Sequence, residues 1–154
     1  MGTVDLHELR VYQLAMRVGE DVWSITAGWE WLAKQTIGLQ WIRSADSIAA
    51  NISEGYGRYS FKENAKFCYY ARGSLRETQT WLEKAVSRHL LSSGIADDLA
   101  LRLETLRRQL DNYIHSLGRT SGNVLREESP ETEVELPPLE EFLASRDPAR
   151  LTNP

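Results

Sequence analysis

One run limits the fold of this chain more than any other. Between Ala96 and Leu117 the residues Leu99, Leu103, Leu106, Leu110, Tyr113 and Leu117 recur at spacings of 4-3-4-3-4. A strand shows its faces at period two, so this pattern fits only a helix with one apolar seam. Such a seam has to be buried against another element, and the chain supplies three more helices to meet it.

The first helix is expected over Leu9 to Ala27, where Val11, Ala15, Val18, Val22 and Ile25 repeat at 4-3-4-3. Tyr12, Met16, Gly19 and Trp23 form a second stripe beside that seam. At ~100° per residue the two stripes span about 180°. A bundle helix needs little more than ~100°, so the surplus suggests a neighbour in another subunit. Gly28 to Gly38 reads as a packed connection because it carries Trp29, Trp31, Leu32 and Ile37. The second helix is expected over Leu39 to Glu54, stopped by Gly55 and Gly57. The third begins at a capping box, Ser60 with Glu63, and runs to about Leu91. Its apolar side comprises Phe67, Ala71, Leu75, Thr78, Leu82, Ala85, Val86 and His89. Ser92 to Gly94 breaks it, and Gly118 is expected to stop the fourth helix. The reading is all-α: an antiparallel up-down four-helix bundle over residues 1–119.

Beyond that the character changes. Residues 120–154 hold all five prolines, and 3 Lys and Arg face 8 Asp and Glu. In residues 1–119 the balance is 15 to 14. This acidic tail is expected to be disordered. Within it, residues 137–146 place Leu139, Phe142 and Leu143 at helical spacing, a candidate docking segment for a protein partner.

Catalytic and cofactor signals are few. His7, His89 and His115 are scattered, and no His-x-x-x-His or Glu-x-x-His pair offers a metal site. His89 reads as a core or rim histidine. "GYGR" follows a helix rather than a strand and lacks the Lys-Ser/Thr of a phosphate loop. Cys68, the single cysteine, reads as a small buried hydrophobe. No apolar leader and no membrane-length run is present, so the expected compartment is the cytoplasm. No cofactor, metal or membrane partner is expected, and the chain is not read as an enzyme. A near-neutral body lacks the general basic excess of a non-specific nucleic-acid binder, though a local patch remains open.

Two polar stripes need a role. On the second helix Arg43, Ser47, Asn51 and Glu54 fall within about 80° of one another, with Arg58 just beyond. On the third, Lys66, Tyr70, Ser74, Glu77, Trp81 and Lys84 group around Gly73. A mid-helix glycine costs about 1 kcal/mol relative to alanine, a cost often offset by close backbone approach. Arg43 with Glu77 and Arg58 with Glu54 are candidate pairs. Three readings stand: a joint or subunit interface formed by Arg43, Ser47, Asn51, Glu54, Arg58, Gly73, Ser74 and Glu77; a ligand or nucleic-acid site; and a plain solvated surface. Arg43, Arg58, Lys66, Arg72, Arg76 and Lys84 are the candidate nucleic-acid contacts.

The same residues carry a resemblance. "LRVYQLA", "GLQWIRSADSIAANISEGYGR" and "FCYYARGSLRETQTWLEKA" resemble the bacterial family of proteins encoded in intervening sequences of 23S ribosomal RNA genes, also called the S23 ribosomal protein family. The matching positions are Gly38-Leu39, Arg43, Ala45, Ser47-Ile48, Asn51-Ile52, Glu54-Gly55 and Gly57-Arg58, then Ala71, Gly73, Ser74, Leu75 and Glu77. Asp46 and Ser53 depart from the pattern, standing where small or apolar residues are usual. The resemblance covers about Leu6 to Arg119. It implies a four-helix bundle that assembles as a ring, with a homopentamer favoured, and an oligomeric scaffold or interaction role, associated with RNA or a ribonucleoprotein. It implies no known activity. The alternative comes from a relative, the accessory protein of diversity-generating retroelements: nucleic-acid binding in the service of a reverse transcriptase or ribosomal RNA.

Overall fold

The computed structural model describes residues 4–119. The tail, including residues 137–146, lies outside the described residues, as do the roles expected of it.

Four helices form the bundle: α1 (Arg10–Ala27), α2 (Leu39–Tyr56), α3 (Phe61–Ser87) and α4 (Ser93–Arg119). Each packs on its two neighbours in a closed square, α1 on α2, α2 on α3, α3 on α4 and α4 on α1. The turns of 57–60 and 88–92 are short, so the chain reverses at each, as in an up-down bundle. The seams meet at the centre. Val18, Val22, Trp41, Ile48, Ile52, Leu75, Leu99, Leu103, Leu106 and Leu110 are all essentially inaccessible to solvent.

Several boundaries differ from the expectation. The connection Gly28 to Gly38 is largely helical. After Gly28, which caps α1, an α-turn over Trp31–Ala33 and a π-turn over Lys34–Gly38 lead without a break into α2. Nothing there opposes a helix: no proline intervenes, and Gly38 takes a right-handed helical φ of −55°. Trp29 stacks on Trp41 with ring centroids 5.7 Å apart, tying the lead-in to the core.

Gly55 does not stop α2. It lies inside the helix, which ends at Tyr56 with Gly57 as cap. The Tyr56 hydroxyl donates to the Val4 carbonyl, anchoring the N-terminal lead. At the head of α3 one half of the capping box is present: Ser60 Oγ accepts from the Glu63 N–H at 3.2 Å. The Glu63 carboxylate faces the Ser60 hydroxyl at 3.3 Å instead of its backbone N–H.

The C-terminal end of α3 comes one turn early. His89 adopts φ 57° and lets the Leu90 N–H reach back to the Ala85 carbonyl, the left-handed exit that closes many helices. His89 is therefore an exposed cap residue, not a core or rim histidine, and Val86 is exposed too. Phe67 is only half-buried. Gly118 does not interrupt α4, which continues to Arg119.

Candidate functional site

Two residues of the predicted polar stripe, Ser47 and Ser74, sit in a hydroxyl-lined joint between α2 and α3. Ser44 and Ser47 lie one turn apart on α2, opposite Thr78 and Ser74 on α3. Ser74 Oγ donates to Ser47 Oγ at 3.1 Å. The single hydroxyl proton of Thr78 is shared between Ser44 Oγ at 3.1 Å and the Ser74 carbonyl at 2.8 Å. Asn51 Nδ2 donates back to the Ser47 carbonyl at 2.9 Å and lies 3.1 Å from its hydroxyl. Trp41 closes the ladder, its indole N–H reaching the Thr78 carbonyl at 3.1 Å. Small hydroxyl residues let the helices come close, and each buried polar atom finds a partner.

The close approach predicted for Gly73 occurs at Gly55 instead. A Cβ on Gly55 would stand 2.9 Å from the Asn64 carbonyl oxygen and 2.9 Å from Phe67 Cβ. A Cβ on Gly73 would meet nothing within 4 Å. Gly73 faces outward, and no contact within the chain accounts for its helix cost.

The remaining stripe residues are not gathered with the joint. Glu54 and Arg58 pair with each other on the surface. Glu77 accepts from the Trp81 indole at 3.2 Å, so the expected Arg43–Glu77 pair is absent. Arg43 is exposed and makes no hydrogen bond or ion pair among the described residues.

The candidate nucleic-acid contacts on α3 form an aromatic and basic strip. From Arg58 to Arg76 the chain carries 5 Lys and Arg and 1 Glu. Tyr59, Phe61, Tyr69 and Tyr70 are exposed among them. The Arg58 guanidinium lies 4.6 Å from the Phe67 ring centre, Arg72 4.9 Å from that of Tyr69, and the Lys66 ammonium 5.9 Å from that of Tyr70. Arg72 also reaches Asp111 at 3.3 Å, and Arg76 meets Gln79 at 3.4 Å. Lys84 is exposed further along the same face.

Sequence reasoning did not single out the buried charges. Arg102 is fully buried, with Asp98 3.0 Å and Asp21 3.7 Å away. Burial pushes the Asp21 carboxyl up to about 6 despite the pull of the Arg102 guanidinium. The one available signal was that Arg102 sits between Leu99, Leu103 and Leu106 at the edge of the seam. Burial also pushes the Cys68 thiol up to about 12, so the protonated thiol dominates at neutral pH. Tyr113, accepting from Asn64 Nδ2 at 3.1 Å, is raised to about 12 by burial as well.

A groove of about 380 Å³ runs between α1 and α2, lined by Tyr12, Ala15, Met16, Gly19, Glu20, Asp46, Ala49, Ala50 and Ser53. Both departures from the family pattern, Asp46 and Ser53, lie on its wall. Burial and the neighbouring Glu20 raise the Asp46 carboxyl above the usual carboxylate range. Among the described residues no group of three or more His, Cys, Asp or Glu is placed to hold a metal, and no helix is long and apolar enough to cross a membrane.

Comparison with known proteins agrees with this architecture. Residues 7–112 match the family model described as 23S rRNA-intervening sequence protein. A crystal structure of a protein with unknown function from the S23 ribosomal protein family, from Bacteroides thetaiotaomicron, superposes with a TM-score of 0.61 at 18% identity. It covers 68% of this chain and 97% of its own, and at that identity the likeness concerns the fold. No curated protein matches the chain.

Proposed function

Because the chain belongs to the 23S rRNA-intervening sequence protein family, we propose that it is a non-catalytic scaffold or interaction protein that acts as a homo-oligomer, with a pentameric ring favoured. One observation carries this reading. Met16, Trp23, Trp31, Leu32 and Leu39 are 39–73% exposed along α1 and the lead-in to α2. Fully burying a side chain of this size is favourable by about 1.5–3 kcal/mol, so leaving five in water is costly unless a partner covers them. Trp23 and Met16 belong to the surplus stripe of α1, the side left over once the bundle's own core is filled. The non-catalytic part of the reading is supported by the fate of the polar stripe. Ser44, Ser47, Ser74 and Thr78 are engaged in joining two helices, and among the described residues none of them hydrogen-bonds to a His, Asp or Glu side chain.

Light scattering on the full chain tests the proposal. The expected result is an assembly of several subunits at micromolar concentration; a monomer there would sink the reading. Replacing Trp23 and Trp31 with Glu is expected to yield a folded monomer of unchanged helicity.

A second reading, a nucleic-acid-binding accessory protein working with a reverse transcriptase or ribosomal RNA, is favoured by the α3 strip. Cations interleaved with exposed rings suit phosphate contact and base stacking. Arg58, Lys66, Arg72, Arg76 and Lys84 would supply the contacts there, and Arg43 would add one from α2. Retention of structured RNA at low salt, falling steeply as salt rises, is the expected sign. No retention at low salt would remove this reading.

A further inference from the structure

The groove between α1 and α2 and the outer face of α3 are complementary in charge and shape. Glu20 and Asp46 stand at the groove, and neither has a hydrogen bond or ion pair among the described residues. No cation lines it. Gly19 makes room for one of these acids, since a Cβ there would lie 2.7 Å from Asp46 Oδ1. Tyr12 and Met16 give the groove an apolar wall, and Met16 is 46% exposed. On α3, Lys62, Lys66 and Lys84 project within about 40° of one another, at ~100° per residue, with Gly73 between them. Tyr70, half-exposed, stands beside that line. Gly73 leaves bare backbone where a neighbouring helix can approach, and nothing inside the chain uses that space.

We propose that the α1–α2 groove of one copy is the seat for the outer face of α3 of a second copy, with Lys62 and Lys66 brought to Glu20 and Asp46 and Gly73 at the close contact. This inference rests on the oligomeric reading and names the surfaces that would carry it. The two patches are different surfaces on different sides of the bundle, so the contact is heterologous. Repeated from copy to copy, such a contact propagates instead of stopping at a dimer, and it closes into a ring when the rotation between copies divides a full turn. Unpaired carboxylates and unpaired lysines, each costly to cover alone, are covered together.

The test uses the full chain with three variants: Asp46→Lys, the double change Lys62→Glu with Lys66→Glu, and Gly73→Leu. Helicity and thermal melting establish that each is folded; Asp46→Asn replaces Asp46→Lys should the larger side chain disturb α2. Sedimentation velocity at low ionic strength is expected to show association weakened at least about tenfold in each variant. Mixing the Asp46→Lys and lysine-reversed chains is the sharper arm. Each retains one intact patch, so together they are expected to form a pair that neither forms alone. If the wild type assembles and all variants assemble equally well, this inference is overturned while the oligomeric reading survives. A wild type that is monomeric overturns both. If the lysine reversal abolishes RNA retention and leaves assembly unchanged, the strip belongs to nucleic acid and the inference is again overturned.

Discussion

The inner and outer faces of α3 carry similar residues and use them in opposite ways. Inward, Ser74 and Thr78 are matched turn by turn with Ser47 and Ser44, and Trp41 completes the set. Outward, Lys66, Tyr70 and Gly73 are exposed. A glycine on one side of the joint, Gly55, has neighbours under 3 Å from where a Cβ would sit; a glycine on the outer face, Gly73, has none within 4 Å. Polar and small residues on a helix do not by themselves announce a site. Those facing inward are accounted for by packing, so functional attention belongs to those whose cost the chain leaves unexplained.

Substitutions can break this contrast. The largest effect is expected from Trp41→Ala, which empties the core end of the joint and removes the indole donor to Thr78. A loss of about 3–5 kcal/mol in unfolding free energy is expected from chemical denaturation. Trp41→Phe, which keeps one aromatic ring but loses the N–H and part of the indole's volume, should cost less, about 1–3 kcal/mol; a loss equal to that of Trp41→Ala would mean that the residual ring contributes nothing to holding the helices.

Next in size is the buried acid. The Asp21 carboxyl is raised to about 6 in the folded chain from its ordinary value of 3.8. The folded state therefore binds the proton more tightly than the unfolded state. Its contribution to stability is fully present below the unfolded value and is lost as pH rises through the folded one. Between pH 4 and 6 this single group should lower stability by on the order of 2–3 kcal/mol. Asp21→Asn should remove that slope from a denaturation series, and an unchanged slope would show that other groups set it.

The two glycines form the most direct comparison. Gly55→Ala presses a methyl against the Asn64 backbone and should destabilise by about 1–3 kcal/mol. Gly73→Ala adds a methyl to open space in a helix interior. It should stabilise the isolated bundle by up to about 1 kcal/mol. Thermal melts of the two variants should move in opposite directions; shifts of the same sign would collapse the distinction between the faces.

The seams of α1 and α4 were legible because an apolar period of 3.5 to 3.6 residues permits few arrangements, and burial followed at Val18, Val22, Leu99 and Leu106. Ser47 and Ser74 face each other across α2 and α3, as small hydroxyls in closely packed helices can, while Asn51 bonds back to Ser47 within its own helix. Arg43, Glu54 and Glu77 shared their angular sector but not their fate. Long side chains reach several partners, and Glu77 found the neighbouring Trp81 indole instead of Arg43. His89 had the helical phase of a core residue, yet the chain had already left the helix.

By itself the sequence determined four amphipathic helices, their order and the faces that would seek one another, because periodicity and short connections act locally. Only the tertiary structure decided which glycine is pressed and which is bare, that Lys34–Gly38 winds as a π-turn, and that Arg102 is enclosed with Asp21 and Asp98. Those outcomes depend on the distance between helices. That distance is set by all the side chains at a contact together, and no single run of residues encodes it.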